Sequence, residues 1–360
     1  MAERTMAERT MAEPTVVDQN IAEAVASAKN GIGGRDAVQL GLVLIALAFL
    51  VFLPFIARAL DTSTLVTLAT RIMIFAIAAA SLNLALGIGG MVSFGHAAFF
   101  GIGGYVVGIL YRHFVSGEAL FGFISGTNQL VITAAAAILV SGLAAALFGA
   151  LSLRTSGVQF IMITLAFAQM LFYLFVSLKA YGGDDGLIVR RRNVLFGLDT
   201  RDDATFYFIC LAVAVAFFAL LHRIMRSRFG VVLGGIRQNE RRMASIGIPT
   251  YSYQLAAFVI SGMGCGLAGA LMANFARFVS PDMLHWMQSG ELMIMVILGG
   301  AGTLFGPALG AALWIILETS LAAWTEHWQF VLGPVIILII LFFRGGLQGI
   351  LTTMRGNAHG

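Results

Sequence analysis

The sequence predicts an all-α integral membrane protein, a polytopic helical bundle of about ten transmembrane helices with glycine-broken segments. Three observations predict it. First, 59% of the 360 residues are hydrophobic and only 11% are charged, against about 25% charged in a soluble domain. The mean hydropathy is accordingly +0.90. Second, apolar runs of spanning length, ~20 residues, recur from residue 39 onward. Third, glycine is abundant at 42 residues and proline scarce at 6, a balance suited to helices that approach closely in lipid. Together these exclude an ordinary soluble enzyme, a nucleic-acid-binding protein, and disorder over most of the chain. The net charge of +4 is carried almost entirely by arginine, with lysine only at Lys29 and Lys179. It reads as loop charge that sets orientation.

Residues 1–38 are polar and open with the repeat MAERT, MAERT, MAEPT. They mix both charge signs and hold no long apolar run, so they are not a secretory signal. The expectation is a disordered cytoplasmic tail. Ten candidate spans follow, at about 39–57, 65–87, 95–113, 129–152, 158–178, 205–221, 251–273, 289–302, 305–323 and 329–343. The eighth and ninth are the least regular, because Gly299-Gly300-Ala301-Gly302 and Gly306-Pro307 interrupt them. A transmembrane domain over 39–345 and a cytoplasmic C-terminal tail over 346–360 complete the expected organisation.

The segment 222–250 carries Arg223, Arg226, Arg228, Arg237, Arg241 and Arg242 against the single acid Glu240. The positive-inside rule makes it cytoplasmic, and ten spans then put both termini inside a cell inner membrane. The loop 179–204 falls outside. It holds Arg190-Arg191-Arg192, against the rule, although its five bases are matched by Asp184, Asp185, Asp199, Asp202 and Asp203.

No P-loop, H-E-x-x-H or G-x-S-x-G motif occurs, so nothing argues for catalysis, and no nucleotide, cofactor or metal is expected on this chain. The two cysteines, Cys210 and Cys265, lie in apolar stretches and read as small buried hydrophobes.

Three stretches depart from plain lipid-facing helix. The first is Gly87-Ile88-Gly89-Gly90-Met91-Val92-Ser93-Phe94-Gly95-His96. Its glycines let the backbone leave the helix, and exposed helix ends can face a polar solute. A tight turn with close packing fits it equally well, and His96 alone reads more readily as a packing histidine than as a ligand. The second is Leu298 to Ala308, which echoes the first with a Gly-Gly pair and a later Phe-Gly. The stretches 87–96 and 299–307 are expected to be non-helical and to approach a pathway, with Ser93 and His96 nearer it than Met91. The third is 230–248, where apolar Val231, Leu233, Ile236 and Met243 mix with a charged run and Gly247 can end a helix. Alone it would read as a basic loop on anionic lipid.

Together the pieces resemble the permease subunits of ABC importers for branched-chain amino acids, the LivM type. The matching pieces are Ser-Leu-Asn-Leu (81–84) with the glycine run to Tyr105, T-L-A-F-A-Q-M (164–170), G-G-D-D-G-L (182–187), G-G-I-R-Q-N-E-R-R (234–242), G-G-A-G-T-L-F-G-P-A-L-G-A (299–311) and F-F-R-G-G-L-Q-G-I-L (342–351). Asp184 departs from the family pattern, which has a small or hydroxyl residue there. The resemblance implies a pathway built with a second, homologous permease. It implies two cytoplasmic ATPase subunits for energy and a periplasmic binding protein for delivery. It makes 222–250 the coupling loop, with Gly235, Ile236, Arg237, Gln238, Asn239, Glu240, Ala244 and Gly247 docking on the ATPases. The expected pathway residues are Asn83, Ser93, Gly95, His96, Gln169, Gly300 and Thr303. Permeases for urea and short amides share the pattern, so the substrate stays open between branched-chain or related amino acids and urea or amides.

A self-sufficient secondary transporter is the competing class. It would need buried ionisable residues as an ion relay, and mid-span polar residues are few: Asn83, Gln169 and His96. The remaining buried charge is Arg71, about six residues inside the second span. It either snorkels to the surface or pairs with Glu318 or Glu291 as a structural clasp.

Overall fold

The computed structural model describes residues 41, 45–59, 62–119, 125–195, 200–325 and 327–342. The expected tails, 1–38 and 346–360, lie outside the described residues. By contacts the chain divides into 1–61 and 62–360. The first unit contributes one apolar helix, α1 (Ile45–Ala59).

The second unit is a helical bundle. Its helices are α2 (Ser63–Asn83), α3 (His96–Ser116), α4 (Leu130–Ser152), α5 (Val158–Ser177), α6 (Asp203–Arg226), α7 (Arg228–Gln238), α8 (Glu240–Ser245), α9 (Thr250–Ala276), α10 (Trp286–Gly299), α11 (Gly306–Ala322) and α12 (Trp328–Phe342). Among the described residues, six helices are long and apolar enough to cross a membrane: α2 to α6 and α9. Four shorter apolar helices, α1, α10, α11 and α12, bring the set into line with about ten spans. The stretch 230–248 holds two helices, the end of α7 and α8. They part at Asn239, whose side chain accepts from the Arg242 amide at 2.9 Å and caps α8.

α9 occupies the middle of the bundle, against α2, α3 and α4. Small residues allow this. A Cβ added at Gly103 would overlap the Gly266 carbonyl, and one at Gly269 would overlap the Phe100 carbonyl. Close backbone approach through small residues is how helices associate where lipid supplies no hydrophobic drive. A hydroxyl adds a bond between α3 and α4: Ser141 Oγ donates to the Phe99 carbonyl at 3.1 Å. The opposite faces of α4 and α5 stay apolar and exposed, for example at Leu143, Leu147, Val158 and Met162, as lipid-facing surface requires.

The loop between α5 and α6 is ordered by pairing, not by charge in solution. Strand β1 (Leu187–Ile188) runs antiparallel to β2 (Phe278–Val279), with Leu187 opposite Val279. Beyond it Arg192 is buried, with 6% of its side chain exposed, and Asp203 Oδ1 lies 2.7 Å from its Nη2. Its Nε donates to the Asn274 carbonyl at 3.3 Å and its guanidinium lies 4.6 Å from the Phe206 ring centroid. One member of the arginine triplet is therefore an internal tether, whereas Arg190 and Arg191 are exposed.

Candidate functional site at the two glycine breaks

α2 does not stop at Asn83. It continues through a π-helical turn, Leu84–Ile88, so Gly87 and Ile88 are helical and the non-helical stretch is 89–95. Such turns put an extra residue into one helical turn and recur at functional sites. The second break is also shorter than expected: α10 runs to Gly299 and α11 starts at Gly306, with Pro307 in its first turn, leaving 300–305 non-helical.

Non-helical backbone inside a membrane protein must find partners within the protein. Here neighbouring helices supply them. Thr164 Oγ1 of α5 accepts from the Phe94 amide at 3.2 Å. Ser289 Oγ of α10 accepts from the Ala97 amide and donates to the Phe94 carbonyl, both at 2.7 Å. Ser93 Oγ, itself buried, accepts from the Gly95 amide at 3.1 Å.

The two breaks meet at Asn83. Its Oδ1 accepts from the Gly302 amide at 2.8 Å, and its Nδ2 donates to the Thr303 carbonyl at 2.7 Å. The two bonds use one donor and one acceptor of the side-chain amide, which fixes its orientation. Gly87 lies directly beneath, where a Cβ would overlap Asn83 Oδ1 and the Gly302 nitrogen. Thr303 Oγ1 donates to the Gly300 carbonyl at 2.7 Å and closes the second break on itself.

Arg237, near the end of α7, reaches this junction. It donates through Nη1 to the Gly87 carbonyl. Leu233 and Ile236, 0% and 3% exposed, seat the same helix on the bundle. Phe229 stacks on Tyr253 of α9 with ring centroids 5.6 Å apart. Met243 of α8 folds back over Gly235, where a Cβ would lie 2.9 Å from its Cε.

The family model for "Branched-chain amino acid transport system / permease component" matches residues 64–340, which take in the glycine breaks and α7. The chain belongs to this family. It is 26% identical over 306 residues to the high-affinity branched-chain amino acid transport system permease protein LivM of Salmonella typhimurium, covering 78% of this chain and 69% of the relative. The LivM protein of Escherichia coli K12 is 27% identical over the same shares. A shorter match, 24% identical over 146 residues, joins 38% of this chain to 43% of the autoinducer 2 import system permease protein LsrC of Photorhabdus luminescens. No solved structure matches the chain.

The permease gathers some of the expected pathway residues and separates others. Asn83, Gly300 and Thr303 sit together at the junction. Ser93 and Gly95 lie in the first break, beside Thr164. Gln169 is on α5, with its Nε2 buried and without a protein partner. His96 is fully buried between Phe99 and Phe258, its ring centroid 5.6 and 5.3 Å from theirs. Ser261 Oγ donates to the Ser81 carbonyl at 2.5 Å, so it must accept from His96 Nε2 at 2.8 Å. That assigns the proton to Nε2, so the ring and Ser261 link α2, α3 and α9, while Nδ1 is buried without a hydrogen-bond partner. Met91 and Ser93 are both buried, at 6% and 0% exposed.

In the expected docking set, Gln238, Glu240 and Ala244 are exposed, while Ile236 faces the bundle. Gly247 has φ +85° and ends the α8 turn. Arg237 is exposed like Gln238 and Glu240, and it also donates through Nη1 to the Gly87 carbonyl at the end of the π-turn.

Arg71 Nη2 lies 2.8 Å from Glu318 Oε1 and 3.1 Å from Oε2, joining α2 to α11. Glu291 is not the partner in contact. Its Oε2 accepts from Gln288 Nε2 at 3.0 Å, within electrostatic reach of the pair. Sequence reasoning missed Thr164, Ser261, Ser289 and Arg192. The hydroxyls were legible as polar groups in apolar helices, which must bond to something, but their targets are backbone atoms far away in sequence.

Proposed function

We propose that this chain lines one half of the translocation pathway of an ATP-driven importer for branched-chain amino acids. A second permease of the same kind supplies the other half. Two ATPases act on the side that carries α7 and α8, which is the cytoplasmic side, and both termini lie there. A binding protein delivers substrate on the opposite side, at the loops around β1 and β2.

The family match over 64–340 carries this reading. The structure supports it physically. Two breaks stand where α2 and α10 end, joined by Asn83, and a surface helix is bonded to the same place.

The test is uptake in proteoliposomes that contain both permeases, the ATPases and enclosed ATP, with binding protein outside. Labelled leucine or valine should accumulate only with hydrolysable ATP. Accumulation of labelled urea instead, or of leucine without ATP, would overturn the reading.

A further inference from the structure

We infer that Arg237 is the mechanical link between the surface helix α7 and both glycine breaks, a positioning residue for transport. The inference rests on the transport reading above and adds a residue role to it.

One side chain touches both breaks. The Arg237 Nη1 group donates to the Gly87 carbonyl, in the last turn before the first break. Its aliphatic stem lies over Gly90, where an added Cβ would be 2.9 Å from Arg237 Cγ. The same Nη1 would be 3.2 Å from a Cβ placed on Gly302, in the second break. Gly90 and Gly302 have φ of +71° and +86°, so side chains are excluded there by conformation as well as by space. Three glycines thus form a slot that the arginine fills.

The slot is stiff on the far side and tied on the near side. Asn83 bonds the second break to the end of α2 through Gly302 and Thr303. Leu233 and Ile236 seat α7 on the bundle. A displacement of α7 therefore has a polar route to the ends of α2 and α10 and to the start of α11 at once. Part of Arg237 stays exposed, and the adjacent residues Gln238, Glu240, Arg241 and Arg242 are exposed beside it. The π-turn at Leu84–Ile88 gives the link a place to act, because a turn with one extra residue can shift register without breaking the helix.

The distinguishing measurement is the ratio of leucine taken up to ATP hydrolysed by the assembled complex in proteoliposomes. Arg237→Met keeps the stem over Gly90 and removes the donor. It should lower the ratio at least about fivefold, the lower end of site-to-site coupling. Arg237→Lys keeps a charged donor and should recover part of that loss. Glu240→Ala, at the exposed surface, should lower uptake and hydrolysis together and leave the ratio in place. A ratio for Arg237→Met within about twofold of the unaltered complex overturns the link. So does failure of Arg237→Met to assemble with the ATPases while Arg237→Lys assembles, since that marks a docking role. An unaltered complex that hydrolyses ATP without ATP-dependent uptake overturns the transport reading itself, a result separable from the first two.

Discussion

Replacing Glu318 with leucine tests whether the Arg71 pair is a structural clasp between α2 and α11. The expected size follows from its geometry. Fully exposed pairs contribute about 0.2–1 kcal/mol, and removing one partner of a fully buried pair costs about 3–5 kcal/mol. Here 31% of the Arg71 side chain and 20% of the Glu318 side chain are exposed, between those limits. Both carboxylate oxygens face the single Nη2, at 2.8 and 3.1 Å, so the two-pronged geometry that makes arginine pairs strong is absent. The Phe75 ring 5.7 Å from the guanidinium stays in place when Glu318 is changed. We therefore expect a loss of ~1–2 kcal/mol. The assay is a double-mutant cycle of Arg71→Met and Glu318→Leu by equilibrium unfolding in mixed micelles. Because Glu291 lies within electrostatic reach of Arg71, the cycle is repeated with Glu291→Gln, where the coupling should grow. A coupling energy below ~0.3 kcal/mol in both backgrounds would refute the clasp. Loss of uptake in a Glu318→Leu protein that remains fully stable would refute its purely structural character.

Gly87→Ala forces a methyl onto Asn83 Oδ1 and the Gly302 nitrogen, and should cost ~1–3 kcal/mol in the same unfolding assay; no change would mean the breaks are not in contact. Asn83→Ala removes both bonds to the second break and orphans the Gly302 amide, so a loss of ~1–3 kcal/mol is expected, with Asn83→Asp intermediate because it keeps only the acceptor. Arg192→Met leaves Asp203 and the Asn274 carbonyl without their donor, and limited proteolysis should then cut near 187–195 faster than in the unaltered protein; equal rates would show that the tether is dispensable. Single cysteines at exposed Arg190 and Glu240 should be labelled by an impermeant reagent from opposite sides of the membrane, position 190 from outside; labelling of both from one side would contradict the ten-span topology.

Span number, the short helices α10 and α11, and the approximate places of both breaks were open to a reader of the sequence. Each depends on local composition: apolar length makes a span, and Gly-Gly with a following Gly-Pro interrupts one. Break boundaries were less legible. The π-turn carried the helix through Gly87 and Ile88, since glycine permits departure from a helix without requiring it. Arg71 could be assigned a short choice of partners because an arginine inside a span must either reach water or find a carboxylate, and few carboxylates lie at that depth.

What the sequence determined by itself was therefore the class of molecule, the order of its spans, and the family to which it belongs. Only the tertiary structure decided which polar groups meet. Asn83 with Gly302, Arg237 with Gly87, Ser289 with Phe94 and Arg192 with Asp203 are, apart from the last, separated by long stretches of chain. Three of these four bonds have a backbone atom as partner, and every residue carries the same backbone, so no side-chain pattern marks the target. The direction of Arg237 shows the consequence. Like Gln238 and Glu240 it is exposed, and composition groups it with them. Its guanidinium also reaches the Gly87 carbonyl, a partner it meets only once α7 lies against the end of α2.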